Sequence, residues 1–169
     1  MPGKPFAILL AALTFTAIAS CGSPSTPRPT PTFDLVSVTV YFTDENRYAA
    51  GTPPFEVAVT RLVPASSNLP EAVLLAFSEG PTSEERGQGL EAITSGFDGV
   101  DSLVIEDSIA RVYLSGECAS LGATYTIAQP IMRNLLQFQY VSYVKIYDEN
   151  GETEEPEGET NSIPFCLEP

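Results

Sequence analysis

From Leu35 to Phe42 the chain alternates β-branched or large residues with polar ones, Leu35-Val-Ser-Val-Thr-Val-Tyr-Phe42. A period of two places one set of side chains on a buried face and the other in water, so a half-buried strand is expected. Phe55-Glu-Val-Ala-Val-Thr-Arg-Leu-Val63 repeats the pattern, and Gly51-Thr-Pro-Pro54 breaks the chain between the two. The period then changes. Leu69, Val73, Ala76 and Phe77 fall on one helical face, with Asn68 as N-cap, Glu71 in a capping-box position, Pro70 in the first turn and Gly80-Pro81 as the stop. Thr82 and Glu85 repeat the capping-box spacing and predict a short turn of helix before Gly87.

Asp101-Ser-Leu-Val-Ile105 and Ile109-Ala-Arg-Val-Tyr-Leu114 predict a hairpin turning through Glu106-Asp107-Ser108. Between Leu121 and Phe138 the spacing is helical again, with Ile127, Ile131, Leu135 and Phe138 on one side; Pro130 inside it implies a kink or a late start. Val141 to Tyr147 is a last strand, and Asn150-Gly151 a tight turn. The expected fold class is α+β: one small domain in the order β-β-α-β-β-α-β, about five strands in a sheet with two helices packed on one face.

The apolar run from Phe6 to Ala19 belongs to something else. It is about 14 residues, short of the roughly 20 that a spanning helix needs, and it follows Lys4 and precedes small residues. That is the layout of a secretory leader. Ile18-Ala19-Ser20-Cys21 resembles a lipobox, whose cysteine accepts a diacylglyceryl group and becomes the new amino terminus after cleavage. A Pro/Ser/Thr stretch follows from Gly22 to Thr32 and cannot form a packed core. In polyproline-II geometry it would hold a domain roughly 30 Å from the lipid. Two acyl chains make a stable anchor where one would be marginal. The expected location is extracytoplasmic, held to the bacterial cell membrane by lipid on Cys21.

Composition narrows the chemistry. The chain has 22 acidic and eight basic residues, a net charge of −14; loss of Lys4 with the leader takes this to about −15. Such a body is repelled by phosphate backbones, so nucleic acid is not an expected partner. There is no histidine. This removes the commonest general base and zinc ligand, and with them every Ser-His-Asp or Cys-His arrangement.

With Cys21 assigned to lipid, Cys118 and Cys166 remain, an even number in an exported chain. A bridge between them would tie the carboxyl end down and stabilise the fold by roughly 4 kcal/mol. Two buried free thiols are the competing arrangement.

The order of short motifs resembles a known family. Val38-Thr-Val-Tyr-Phe42, Thr60-Arg61-Leu-Val-Pro64, then a helix ending Gly80-Pro81-Thr82 with Glu84, Glu85 and Gly89-Leu90 behind it are similar to the GerMN domain. So are Asp107-Ser-Ile-Ala-Arg-Val-Tyr-Leu-Ser115, the helix end Leu135-Leu-Gln-Phe138 and the strand Val141 to Ile146. The resemblance implies an envelope-associated module with a fold like the ring-building domains of sporulation machinery, and no known catalytic residues. Departures are the Cys118/Cys166 pair, Pro130 and the single copy. The chain therefore divides into a leader (1–20), a lipidated cysteine and tether (21–34), a GerMN-like domain (35–147) and an acidic tail (148–169).

Other chemistry is expected to be weak. The tail carries Asp148, Glu149, Glu152, Glu154, Glu155, Glu157 and Glu159, but Asp148-x-Asn150-Gly151 lacks the third ligand and spacing of a calcium loop. No metal or cofactor is expected. Ser102, Ser108 and Ser115 have no histidine to activate them. Tyr113, Tyr125, Tyr140, Tyr143 and Tyr147 fit strand packing better than a sugar platform. The expectation is a non-enzymatic lipoprotein making protein or cell-wall contacts. The alternatives are a small peptidoglycan hydrolase and a carbohydrate- or metal-binding accessory protein.

Overall fold

The computed structural model describes residues 34–169. Leu35–Asp44 forms β1 and Glu56–Pro64 forms β2, an antiparallel pair in register from Leu35↔Pro64 to Thr43↔Glu56. Between them Asp44 accepts hydrogen bonds from the backbone N–H groups of Asn46 and Arg47 and so starts a one-turn helix, α1 (Glu45–Ala49). Helix α2 (Leu69–Glu79) follows, then α3 (Ser83–Gly87) and a two-residue strand β3 (Leu90–Glu91) that pairs with the end of β1. β4 (Phe97–Glu106) and β5 (Ile109–Gly116) form the hairpin. Asp107 and Ser108, both with positive φ, make its two-residue turn. Helix α4 (Ala128–Leu135) then carries the chain across to β6 (Tyr143–Tyr147), which lies parallel to β5. Parallel neighbours need such a crossover.

The expected single sheet of about five strands is corrected. Among the described residues, six strands divide into two three-stranded sheets, ordered β2-β1-β3 and β4-β5-β6. Alternation tells which face of a strand is buried, not which strand lies beside it. The two sheets are joined through their inner faces. Val38, Val40 and Phe42 from one, and Ala110, Val112, Leu114, Val144 and Ile146 from the other, belong to the same core. Helices α2 and α4 pack on each other and both touch β1; α2 also reaches β4, and α4 reaches β6.

Local expectations are revised at three points. Asn68 occupies the N-cap of α2 but makes no side-chain cap bond; Pro70, two residues on, has no N–H to offer. Leu69 stays on the rim, and Leu74 takes a buried place beside Val73, Ala76 and Phe77. The second long helix is much shorter than the spacing from 121 to 138 suggests. It begins at Ala128, so that Pro130 falls in the first turn, where a missing N–H costs nothing.

The acidic segment 148–169 is packed against the second sheet. Ser162 pairs with β6: its N–H donates to the Val144 carbonyl (3.0 Å) and its carbonyl accepts from Ile146 (2.9 Å). Lys145, fully buried on β6, donates its Nζ to the backbone carbonyls of Glu155 and Glu157. The carboxylates of this segment stay largely in water while its main-chain carbonyls satisfy the buried Lys145 side chain by hydrogen bonding. Cys118 and Cys166 are joined, with Cα atoms 6.2 Å apart, beside buried Leu167.

Candidate functional site

The first group of residues that carries the family resemblance meets around one ion pair. Arg61 stands on the inner side of β2, opposite Val38, with its guanidinium 5.5 Å from the centroid of the Phe42 ring. Its two terminal nitrogens grip Glu85 at 2.7 and 2.6 Å. Glu85 in turn closes a capping box. Its carboxylate accepts from the Thr82 N–H at 2.7 Å, and its own N–H donates to the Thr82 hydroxyl. The Arg61 hydrogen bonds, with those from Thr82, hold the Glu85 carboxyl down to about 2. Gly80 (φ 79°) ends α2, and at Gly89 (φ 92°) a side chain would run into Asn46. Gly-Pro-Thr and Gly-Leu are thus needed to bring α3 against β2. This constellation holds the fold; the low carboxyl is opposite to what a general acid requires.

Among the concavities of the described residues, two bear on partner binding. One is a groove of about 350 Å³ between α2 and β4. Leu75 projects there from the middle of α2, 62% exposed, whereas its neighbour Leu74 is buried. Val100 and Leu103 supply a half-buried apolar floor, and Glu71, Asp98 and Asp101 stand around the rim. No Lys or Arg lines it among the described residues. The other is a shallower cleft of about 540 Å³ on the outer face of the second sheet, where Tyr113, Asp101, Asp148 and Glu149 meet. The Tyr113 ring lies stacked on Tyr147, with centroids 4.6 Å apart. Burial pushes the Tyr147 phenol up.

Other residues singled out in the sequence are dispersed. Tyr125 packs against Tyr48 and Phe55 and donates to Glu56 at 2.6 Å; burial, then that bond, raises its phenol well above the ordinary value. Tyr140 is exposed beside Phe138. The tyrosines therefore form separate pairs and clusters, not one platform. Asp148 spends one carboxylate oxygen on the N–H groups of Asn150 and Glu152, capping the tight turn. Among the described residues no three His, Cys, Asp or Glu side chains are grouped to hold a metal. Cys21 lies outside the described residues.

Sequence reasoning passed over Asn134. It is fully buried on α4, and its amide accepts from the N–H of Tyr41 and donates to that residue's carbonyl, both at 2.9 Å. Gln137 adds a bond to the Thr39 carbonyl. A helix thus finishes the edge of β1 that the two-residue β3 leaves unpaired. A lone asparagine in a helical apolar stripe was the available signal.

A family model described as Germane, sporulation and spore germination, matches residues 39–155. The chain belongs to the Germane family. The matched span of this Germane domain contains Arg61, Thr82, Glu85, Asn134 and both sides of the α2–β4 groove, and it extends past β6 to Glu155. No curated protein matches the chain. A solved structure described as tandem GerMN domains of the sporulation protein GerM from Bacillus subtilis is similar over 76% of this chain, at 18% identity and a TM-score of 0.48. The match covers 46% of that chain, so this protein spans under half of its length.

Proposed function

We propose that this Germane-family chain is a non-catalytic, lipid-anchored module at the outside of the bacterial cell membrane, where it makes protein or cell-wall contacts. Its action is placement. Lipid on Cys21 fixes the molecule, the Pro/Ser/Thr stretch sets its reach, and the folded domain presents a contact surface. The family is one of sporulation and spore germination. The observation that carries the contact reading is the α2–β4 groove, where a leucine in mid-helix faces solvent over an apolar floor. An exposed large side chain above a concave apolar strip is the kind of feature that marks interaction sites.

A small hydrolase is the second reading, favoured by the cleft in which Asp101 and Asp148 stand beside Tyr113. Two measurements separate the readings. Crosslinking of the processed protein in its own cells is expected to capture one reproducible envelope component, and purified protein is expected to release no soluble fragments from peptidoglycan. Fragment release that is lost in Asp101→Asn would overturn the non-catalytic reading. For the anchor, mass spectrometry is expected to find the acyl mass on the peptide beginning at Cys21 and to lose it in Cys21→Ser. A membrane-bound product with a bare thiol at that position would refute it.

A further inference from the structure

Of the longer strands described, two edges are finished by other groups and two are open. Asn134, Gln137 and β3 finish β1, and the segment around Ser162 covers β6. Among the described residues nothing pairs with the outer edges of β2 and β4. Of these, only β4 borders the groove under Leu75. In a hairpin closed by a two-residue turn the flanking pair, Glu106 and Ile109, exchanges hydrogen bonds, and the pairing then alternates along the strand. The main-chain groups of Leu103 and Ile105 therefore point away from β5, off the free edge. Irregular register disturbs the first half of β4, between Phe97 and Ser102, and leaves Ser102–Glu106 regular. Natural proteins often block such an edge with lysine. β4 carries Asp98, Asp101 and Glu106 and no cation at all.

We propose that the β4 edge receives an extended segment of a partner protein by strand addition, and that this segment alternates basic with apolar residues. This rests on the contact reading above and specifies its occupant. Main-chain bonds to Leu103 and Ile105 supply the affinity common to such docking, and side-chain pockets supply selectivity. Alternate residues of the incoming strand face α2, where Leu75 and the apolar floor accept aliphatic side chains. The carboxylates of Asp98 and Asp101 on β4, the second of which also borders the cleft on the opposite face, select Lys or Arg at the others. A second copy of this chain is a poor occupant: it brings its own net negative charge and the same acidic edge.

The test uses the full-length chain and short synthetic peptides alternating Lys with Val, with binding followed by fluorescence anisotropy. N-methylation of one alternate set of peptide residues is expected to abolish binding, while methylation of the other set leaves it intact, because only one set faces the β4 edge. Replacing Lys by Glu, or testing Asp98→Lys with Asp101→Lys, is expected to weaken binding about tenfold or more. Added salt is expected to weaken it as well. Binding indifferent to which set is methylated would overturn strand addition, as would binding that maps to β2. Equal binding of the Glu peptide would overturn the basic partner, and self-association through β4 would put a second copy in its place. Failure of all peptides, with a specific envelope component still crosslinked in cells, would sink the strand mode alone. Failure of the crosslink as well would sink the contact reading.

Discussion

The side chain of Asn134 forms a two-point pair with the backbone of Tyr41, 93 residues away in sequence, accepting at 2.9 Å and donating at 2.9 Å. It imitates the neighbouring strand that β1 lacks at this point. Its second amide hydrogen goes to the Pro130 carbonyl, so the buried amide is satisfied on every side. Asn134→Ala leaves two strand groups without partners and is expected to cost about 3 kcal/mol, lowering Tm by about 10 °C for a domain of this size. Asn134→Asp keeps the acceptor but sets a carboxylate against a carbonyl, and is expected to fare no better. Thermal unfolding followed by circular dichroism measures both; a Tm within a degree or two of the native protein would remove this pair from the account.

The Arg61–Glu85 pair gives the fold a pH dependence of known sign. The folded Glu85 carboxyl is lowered from 4.5 to about 2, chiefly by the Arg61 hydrogen bonds. Its stabilisation is therefore complete above the unfolded value and fades as pH falls from about 4.5 towards 2. Glu85→Gln is expected to cost about 2 kcal/mol near neutral pH, and the difference from the native protein is expected to shrink through that acid window. Denaturant unfolding at a series of pH values checks it. A gap that stays constant down to the acid limit would contradict the assignment.

Cys118 and Cys166, 48 residues apart, close a loop that contains α4, β6 and the segment pairing with β6. A loop of that length is worth about 4 kcal/mol in the chain-entropy description. The double variant Cys118→Ser with Cys166→Ser, or the native protein under reductant, is expected to unfold at markedly lower denaturant. Hydrogen exchange is expected to rise first around Ile163 and Leu167, whose packing the bridge secures. An unchanged midpoint would show that Lys145 and the Ser162 pairing hold the carboxyl end by themselves.

Much of this architecture was legible in the sequence because it rests on local rules. The alternation of β1 and β2, the Thr82/Glu85 capping box, a hairpin turn within Glu106-Asp107-Ser108 and an interruption at Pro130 each follow from a few neighbouring residues. Pairing does not. That β6 joins β5 in parallel, and that a second sheet forms, depends on how helices α2 and α4 lie between distant strands. The acidic stretch was misleading for a related reason. Its carboxylates mark it only as an acidic tail, while what fastens it is main-chain carbonyls on Lys145, which carry no sequence signature. The groove was equally hidden. Leu75 sits next to Leu74 in a helix of strong apolar character, and only the geometry tells which of the two is left in water.

Site-resolved photocrosslinking in the protein's own cells tests the contact surface most directly. A photoreactive residue replaces Leu75, 62% exposed in the groove, or Leu62, 65% exposed on β2, so that the two positions match in accessibility. The expected result is one discrete crosslinked species from position 75, lost in Asp98→Lys with Asp101→Lys, and only weak, scattered products from position 62. Equal capture at both positions, or a discrete species from position 62 alone, would contradict the placement of the contact surface between α2 and β4.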